Sequence, residues 1–264
     1  MAERPLHHLV LLRGLAREAR HWGDFLKDLE AAYEKQGLRV RISTLDFPGC
    51  GRHSEMPPVL SVEAMTAFVR EKFAEMMALE AAGREERPAH RRLIAISLGG
   101  MVAAEWLSKW PTDFDSAVLI NSSMRGLSKM HDRLRMASWW RIPLILKSGT
   151  VKERERQILE WISNRPDRQA EVLLDWAHIQ ETRPVTHLAT LTQLAAASRF
   201  NAPDRIGTPL LVLASRQDRM VNPTCSQAIA SYYKAQILFH PAAGHDLPLD
   251  AGPWCALMIA EWKN

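Results

Sequence analysis

A serine between small residues, an aspartate and a histidine occur in this chain in an order and setting that suit nucleophilic acyl transfer. The serine is Ser97, in Leu93-Ile94-Ala95-Ile96-Ser97-Leu98-Gly99-Gly100, followed by the helical run Met101 to Trp110. A serine hydroxyl is a poor nucleophile until an imidazole takes its proton, and the imidazole works only when an acid holds the right tautomer. The matching acid and base are Asp218, just after the apolar run Leu210 to Ala214, and His245, in a Gly-containing loop after Gln236 to Phe239. On a strand-turn-helix corner the small neighbours matter, because the nucleophile's backbone is strained and the helix packs close to the strand; here Ala95 stands where glycine is usual.

Attack on an ester carbonyl builds negative charge that needs preorganised N–H donors. The backbone N–H groups of Leu98, directly after the nucleophile, and of Leu15, in the turn Arg13-Gly14-Leu15, are the expected pair. Gly14, Arg13, Ser122, Trp139 and Trp140 are the candidate substrate contacts. For Arg13 the alternatives are to favour an anionic substrate or to point to solvent; for Ser122, to touch substrate or to serve a turn. Asp246 and Asp250 compete weakly with Asp218, since neither follows a strand directly. Cys50 has no indicated His and acid partners and reads as a structural thiol, and His7-His8 on a strand would point to opposite faces, so the pair cannot chelate one metal.

These residues need a sheet that delivers them to one edge. Short apolar runs, His8 to Leu12, Arg39 to Thr44, Leu93 to Ile96, Ala117 to Ile120, Leu210 to Ala214 and Gln236 to Phe239, alternate with helical patterns, which predicts parallel βαβ units. Trp22, Phe25, Leu26, Leu29 and Tyr33 predict one helix stripe, and Ser61 caps a second helix carrying Val62, Met65, Val69, Phe73 and Met76. Gly83 to Arg92 reads as a surface loop. Ligands in such sheets bind outside the carboxyl ends of the strands, where Ser97, Asp218 and His245 can converge. Between Ile120 and Leu210 no strand is evident, and a structureless loop of that length would be implausible. Residues 124–194 are therefore read as a helical cap, with residues 1–123 and 195–264 as the core. Its tryptophans, Trp139, Trp140, Trp161 and Trp176, could line an acyl pocket or pack the cap against itself.

Composition bounds the class. The 264 residues are 47% hydrophobic and 24% charged with a net charge of +4, enough apolar material for a sizeable core. Charges of both signs are interspersed, which argues against a nucleic-acid partner. The run Leu9 to Leu12 is too short for a signal-peptide core or a membrane span, so a cytoplasmic location without a membrane partner is expected. The three cysteines lack metal-ligand or disulfide spacing, and no cofactor or metal is expected.

The sequence resembles the α/β-hydrolase superfamily, in its small capped, esterase-like form. The resemblance covers nearly the whole chain outside the cap. It rests on the Ser-Asp-His order, on Asp46-Phe47-Pro48-Gly49-Cys50-Gly51-Arg52-His53-Ser54, similar to the family's D-x-P-G-x-G-x-S turn, and on Trp22 downstream of the oxyanion turn. It departs at Arg13, where many relatives have histidine, and at Ala95. The resemblance implies an α/β fold with a mostly parallel sheet of about six strands flanked by helices, and carboxylic-ester hydrolysis through an acyl-serine. In layout the chain is similar to the esterases that demethylate pimeloyl-ACP methyl ester in biotin synthesis. Arg125, Lys129, Arg133, Arg135 and Arg141 would then offer a basic face to an acidic acyl carrier protein, or simply a solvated helix face. Thioester, lactone, amide or C–C cleavage, and a non-catalytic binding protein on the same fold, are the competing readings. Oligomeric state is open.

Overall fold

The computed structural model describes residues 4–263. Six strands, β1 (Leu6–Leu12), β2 (Arg39–Leu45), β3 (His90–Ile96), β4 (Ser116–Ile120), β5 (Leu210–Ser215) and β6 (Gln236–His240), form one sheet in the order β2-β1-β3-β4-β5-β6, every pairing parallel. The inner strands β1, β3, β4 and β5 are mostly apolar because both faces are covered, whereas the edge strands β2 and β6 are only partly buried. Helices α2 (Val62–Ala81), α3 (Leu98–Lys109) and α9 (Pro223–Tyr233) bury one face against Val10, Leu12, Leu93, Leu119 and Val212. Helices α1 (Phe25–Lys35) and α10 (Leu247–Glu261) bury the other against Leu9, Leu11, Ile94, Val118 and Leu211. The chain turns outward in opposite directions after β1 and β3, which makes the gap between their carboxyl ends the sheet's switch point, the natural crevice for a ligand.

Two element boundaries differ from the sequence reading. The stretch Gly83 to Arg92 is not all loop: β3 begins at His90, because its polar residues find partners within the fold. Arg92 is buried and donates to Tyr33 Oη (3.0 Å), Ser116 Oγ (2.9 Å) and the Ile259 carbonyl, while Arg91 pairs with Glu80. Trp22 belongs not to α1 but to a preceding 3₁₀ turn, since Gly23 takes φ 48° and breaks the helix before Phe25; the Trp22 ring still stacks on Phe25 at 5.6 Å. Helix α2 starts as predicted, with Ser61 Oγ accepting from the Ala64 N–H at 3.1 Å.

Between β4 and β5 the chain is helical: α4 (Met130–Arg133), α5 (Arg141–Leu146), α6 (Val151–Ile162), α7 (Pro166–Thr182) and α8 (His187–Arg199). The last helix runs past Leu194, and a bridge from Arg125 to Asn201 closes the neck of the insertion. Its Leu159, Trp161, Ile162, Trp176 and Ile179 form a small buried cluster against which Met220 and Leu249 of the sheet domain pack.

Candidate active site

Ser97 alone makes the corner between β3 and α3, at φ 56° and ψ −118°. For a residue with a side chain such a conformation costs on the order of 1–3 kcal/mol and persists only where the surroundings dictate it. They do so here. The Ser97 N–H donates to the Ile120 carbonyl (2.9 Å), and its own carbonyl accepts from the Gly100 N–H (2.9 Å) and from Ser122 Oγ (2.8 Å). A Cβ on Gly99 would lie 2.6 Å from the carbonyl oxygens of Leu12 and Arg13, so only glycine lets α3 sit this close to β1. Ala95 needs no such relief, because its methyl group packs into the apolar core.

The loops after β5 and β6 bring the other two groups to this corner. His245 Nε2 lies 3.0 Å from Ser97 Oγ, and its Nδ1 lies 2.7 Å from Asp218 Oδ2. The second oxygen of Asp218 accepts from the N–H groups of Met220 (2.8 Å) and Val221 (2.9 Å), which fixes the carboxylate. Burial alone would push the His245 imidazole down; the Asp218 carboxylate, with help from Asp246, reverses this against Arg13 and leaves it above its ordinary value. Asp218 thus holds the imidazole in one orientation, with Nε2 turned to the Ser97 hydroxyl. Gly14 and Leu15, at the end of β1, and Leu98, the first residue of α3, flank the hydroxyl; a Cβ on Gly14 would be 3.1 Å from the Ser97 Cβ. The first N–H groups of a helix have no intrahelical acceptor, which leaves that of Leu98 suited to an anion.

Above Ser97 opens a cavity of about 140 Å3, walled by Ile142, Ile145, Ile158, Trp161 and Ile162 of the insertion, Leu191 and Leu194 of α8, and Met220. Among the described residues no cluster of His, Cys, Asp or Glu could hold a metal ion, and no helix is long and apolar enough to cross a membrane.

A model of the Alpha/beta hydrolase family matches residues 9–256. The chain belongs to that family. Among curated proteins it is 25% identical over 245 residues to RutD of Escherichia coli K12, which is named as a carbamate hydrolase, covering 90% of this chain and 84% of that protein. Among solved structures, a 2-hydroxy-6-oxo-6-phenylhexa-2,4-dienoate hydrolase from Rhodococcus sp. strain RHA1 superposes with a TM-score of 0.72 at 18% identity, covering 98% of this chain and 90% of that one. A thermophilic esterase from Thermogutta terrifontis gives 0.69 at 18% identity, with 98% and 89% covered.

In this α/β-hydrolase several residues serve otherwise than their types suggest. Arg13 lines the cavity but does not point to solvent: it is buried, stacks over Trp22 and forks onto Asp246 at 3.2 and 2.5 Å. Its charge is therefore matched before any substrate arrives. Ser122 lies behind the corner, where its hydroxyl holds the Ser97 carbonyl and leaves no room for a Cβ on Gly100, so it is not a substrate contact. Trp139 and Trp140 are also misread as pocket residues. Both are exposed, their indole N–H groups donate to Leu134 and Ala137 carbonyls, and the pocket tryptophan is Trp161. Asp250 accepts from Ser163 Oγ and the N–H groups of Asn164 and Gly244, and so braces the His245 loop rather than the imidazole. Arg133 is buried and donates to the Ala197 and Ser198 carbonyls, which withdraws it from a docking face; Arg135 is half-buried and donates to the Asp218 carbonyl. Burial pushes the Cys50 thiol up to about 12, in keeping with a structural role.

Three further residues have no local sequence signature. Asn121, at φ 44°, donates to the His245 carbonyl (2.7 Å) and Ser215 Oγ (3.0 Å) and accepts from the Ser215 N–H (2.8 Å), tying β4, β5 and the histidine loop together. Gln193 of α8 is buried; its Oε1 accepts from the Ala16 N–H at 2.9 Å, next to Leu15. Glu155 of α6 pairs with Arg17 at 2.7 Å, both buried, and Trp176 lies under the guanidinium. The turn that follows β1 is thus held from above by the insertion.

Proposed function

We propose that the protein is a serine hydrolase of carboxylic esters with short to medium acyl chains, working through an acyl-serine intermediate. The observation that carries this reading is the hydrogen-bonded line from Asp218 through His245 to Ser97 at the floor of an apolar cavity. Ser97 Oγ attacks the carbonyl carbon while His245 Nε2 takes its proton; the Leu15 and Leu98 N–H groups receive the developing oxyanion; His245 then protonates the departing alkoxide. Water, deprotonated by the same imidazole, releases the acid and restores the hydroxyl.

The walls narrow the substrate. They are aliphatic apart from Trp161, the thioether of Met220 and Thr190, whose hydroxyl donates to the Thr186 carbonyl, and the two buried charged pairs beside them, Arg13–Asp246 and Arg17–Glu155, are already neutralised. A small polar carbamate of the kind named for the Escherichia coli relative would find few partners there, whereas a hydrocarbon chain gains by burial. A cavity near 140 Å3 is of the size that accepts a benzene-sized apolar molecule, so p-nitrophenyl ester turnover should peak at about six carbons between acetate and decanoate. Covalent labelling of Ser97 by an organophosphate is the companion test. Absence of turnover across the series, together with an unlabelled Ser97, would sink the esterase reading.

Gln193→Leu tests the oxyanion turn. Its shape is close to that of glutamine, but the Ala16 N–H loses its acceptor, so Leu15 is less firmly placed. Loss of a direct oxyanion donor costs ~10²–10³ in kcat; for this indirect support about a tenfold fall in kcat with KM little changed is expected. A rise in KM at constant kcat would instead make Gln193 a substrate contact.

A further inference from the structure

Helix α5 is apolar on two opposite faces. At helical spacing Ile142, Ile145 and Leu146 point to the cavity, and the other side presents Trp140, Pro143, Leu144 and Lys147. None of its residues is fully buried: Trp140 is 56% and Leu144 49% exposed, and Met136 and Trp139 just before it are 64% and 46% exposed. A helix that faces water carries polar residues on its outer side. The neighbouring α6 does so, with Glu153, Arg156 and Glu160 joined in ion pairs. The outer face of α5 carries no such ion pairs, and the indole N–H groups of Trp139 and Trp140 are already bonded to carbonyls of their own segment, so the exposed part of each ring is apolar surface.

We propose that this face docks on a lipid surface carrying anionic headgroups. Charge decides among the possible occupants. The exposed Lys147 and the half-buried Arg141, which lies over the Trp140 ring, flank the patch, and the exposed Lys129 precedes it in the chain. The one carboxylate in residues 129–147, Asp132, is engaged by Asn222. Tryptophan and leucine with flanking lysine and arginine are the composition of a segment that rests in the headgroup region. A second copy of the chain seated on the patch in two-fold fashion would set these like charges against each other. The patch also leads inward: Leu146 and Leu191 are 39% and 50% exposed yet line the cavity over Ser97, so a hydrocarbon chain leaving a lipid layer meets apolar surface along its path.

The test uses vesicles of phosphatidylcholine alone and of phosphatidylcholine mixed with phosphatidylglycerol, with binding read by flotation. Wild type should partition about tenfold better onto the mixed vesicles at low salt and lose that preference at high salt. Trp140→Ser/Leu144→Ser should lower binding about tenfold while leaving p-nitrophenyl acetate turnover unchanged, since neither side chain lines the cavity. Ser97→Ala should bind as wild type does, so docking can stand or fall apart from the esterase reading. Binding that ignores the Trp140/Leu144 change would reduce the attraction to general charge and overturn the proposal. So would a dimer in size-exclusion chromatography that the same change abolishes, or patch-dependent capture by an acidic protein without vesicle binding.

Discussion

Ser97→Ala should abolish ester turnover almost completely, lowering kcat by up to ~10⁶ with KM little changed, as expected when a member of a cooperating triad is removed. The size follows from the geometry. Ser97 Oγ lies 3.0 Å from the imidazole, and the other hydroxyls nearby are engaged elsewhere: Ser122 with the Ser97 carbonyl, Ser215 with Asn121 and Thr190 with the Thr186 carbonyl. The variant should fold, because an alanine keeps the Cβ that already occupies the corner and the backbone bonds to Ile120 and Gly100 do not involve the side chain. Initial rates with the preferred p-nitrophenyl ester, alongside a thermal melt, provide the check. Equal rates in the two proteins would place the nucleophile elsewhere.

Asp218→Asn is the second large effect, and pH reveals its cause. Loss of the orienting carboxylate costs ~10⁴ in kcat in characterised triads, because the imidazole takes the wrong tautomer. Here the same carboxylate lifts His245 above 6.5, the ordinary value, against the downward push of burial. A general base acts in its neutral form, so wild-type kcat/KM should fall as pH drops through a value above 6.5. In Asp218→Asn the downward push is left with only Asp246 to oppose it, and the acid limb should move to lower pH. An unmoved limb in the variant would mean that the titrating group is not His245.

What could be read from the sequence was what repeats or stands in fixed order. Parallel strands announce themselves as apolar runs, and the chain order of serine, aspartate and histidine placed each after a strand, where the structure brings them within hydrogen-bonding reach. What stayed hidden depends on partners far away in the chain. Glu155 meets Arg17 across 138 residues and Gln193 meets Ala16 across 177, and neither glutamate nor glutamine carries a local pattern that says so. The beginning of β3 was obscured for the same reason: His90, Arg91 and Arg92 read as a loop until Glu80, Ser116 and Tyr33 neutralise or bond them. Trp139 and Trp140 show the converse. Residue type says that a tryptophan wants cover, but not which side of a short helix it lies on.

The fastening of the turn after β1 by Glu155 and Gln193 bears on how such proteins can be rebuilt. A helical insertion between β4 and β5 looks like an interchangeable part, to be replaced when a new acyl preference is wanted. In this chain two of its side chains act as struts for the turn after β1, so a chimaera that imports another lid would inherit a new pocket over a loosened floor. Grafts that bring in the donor's positions equivalent to 16, 17, 155 and 193 together should keep turnover that exchange of the lid alone loses.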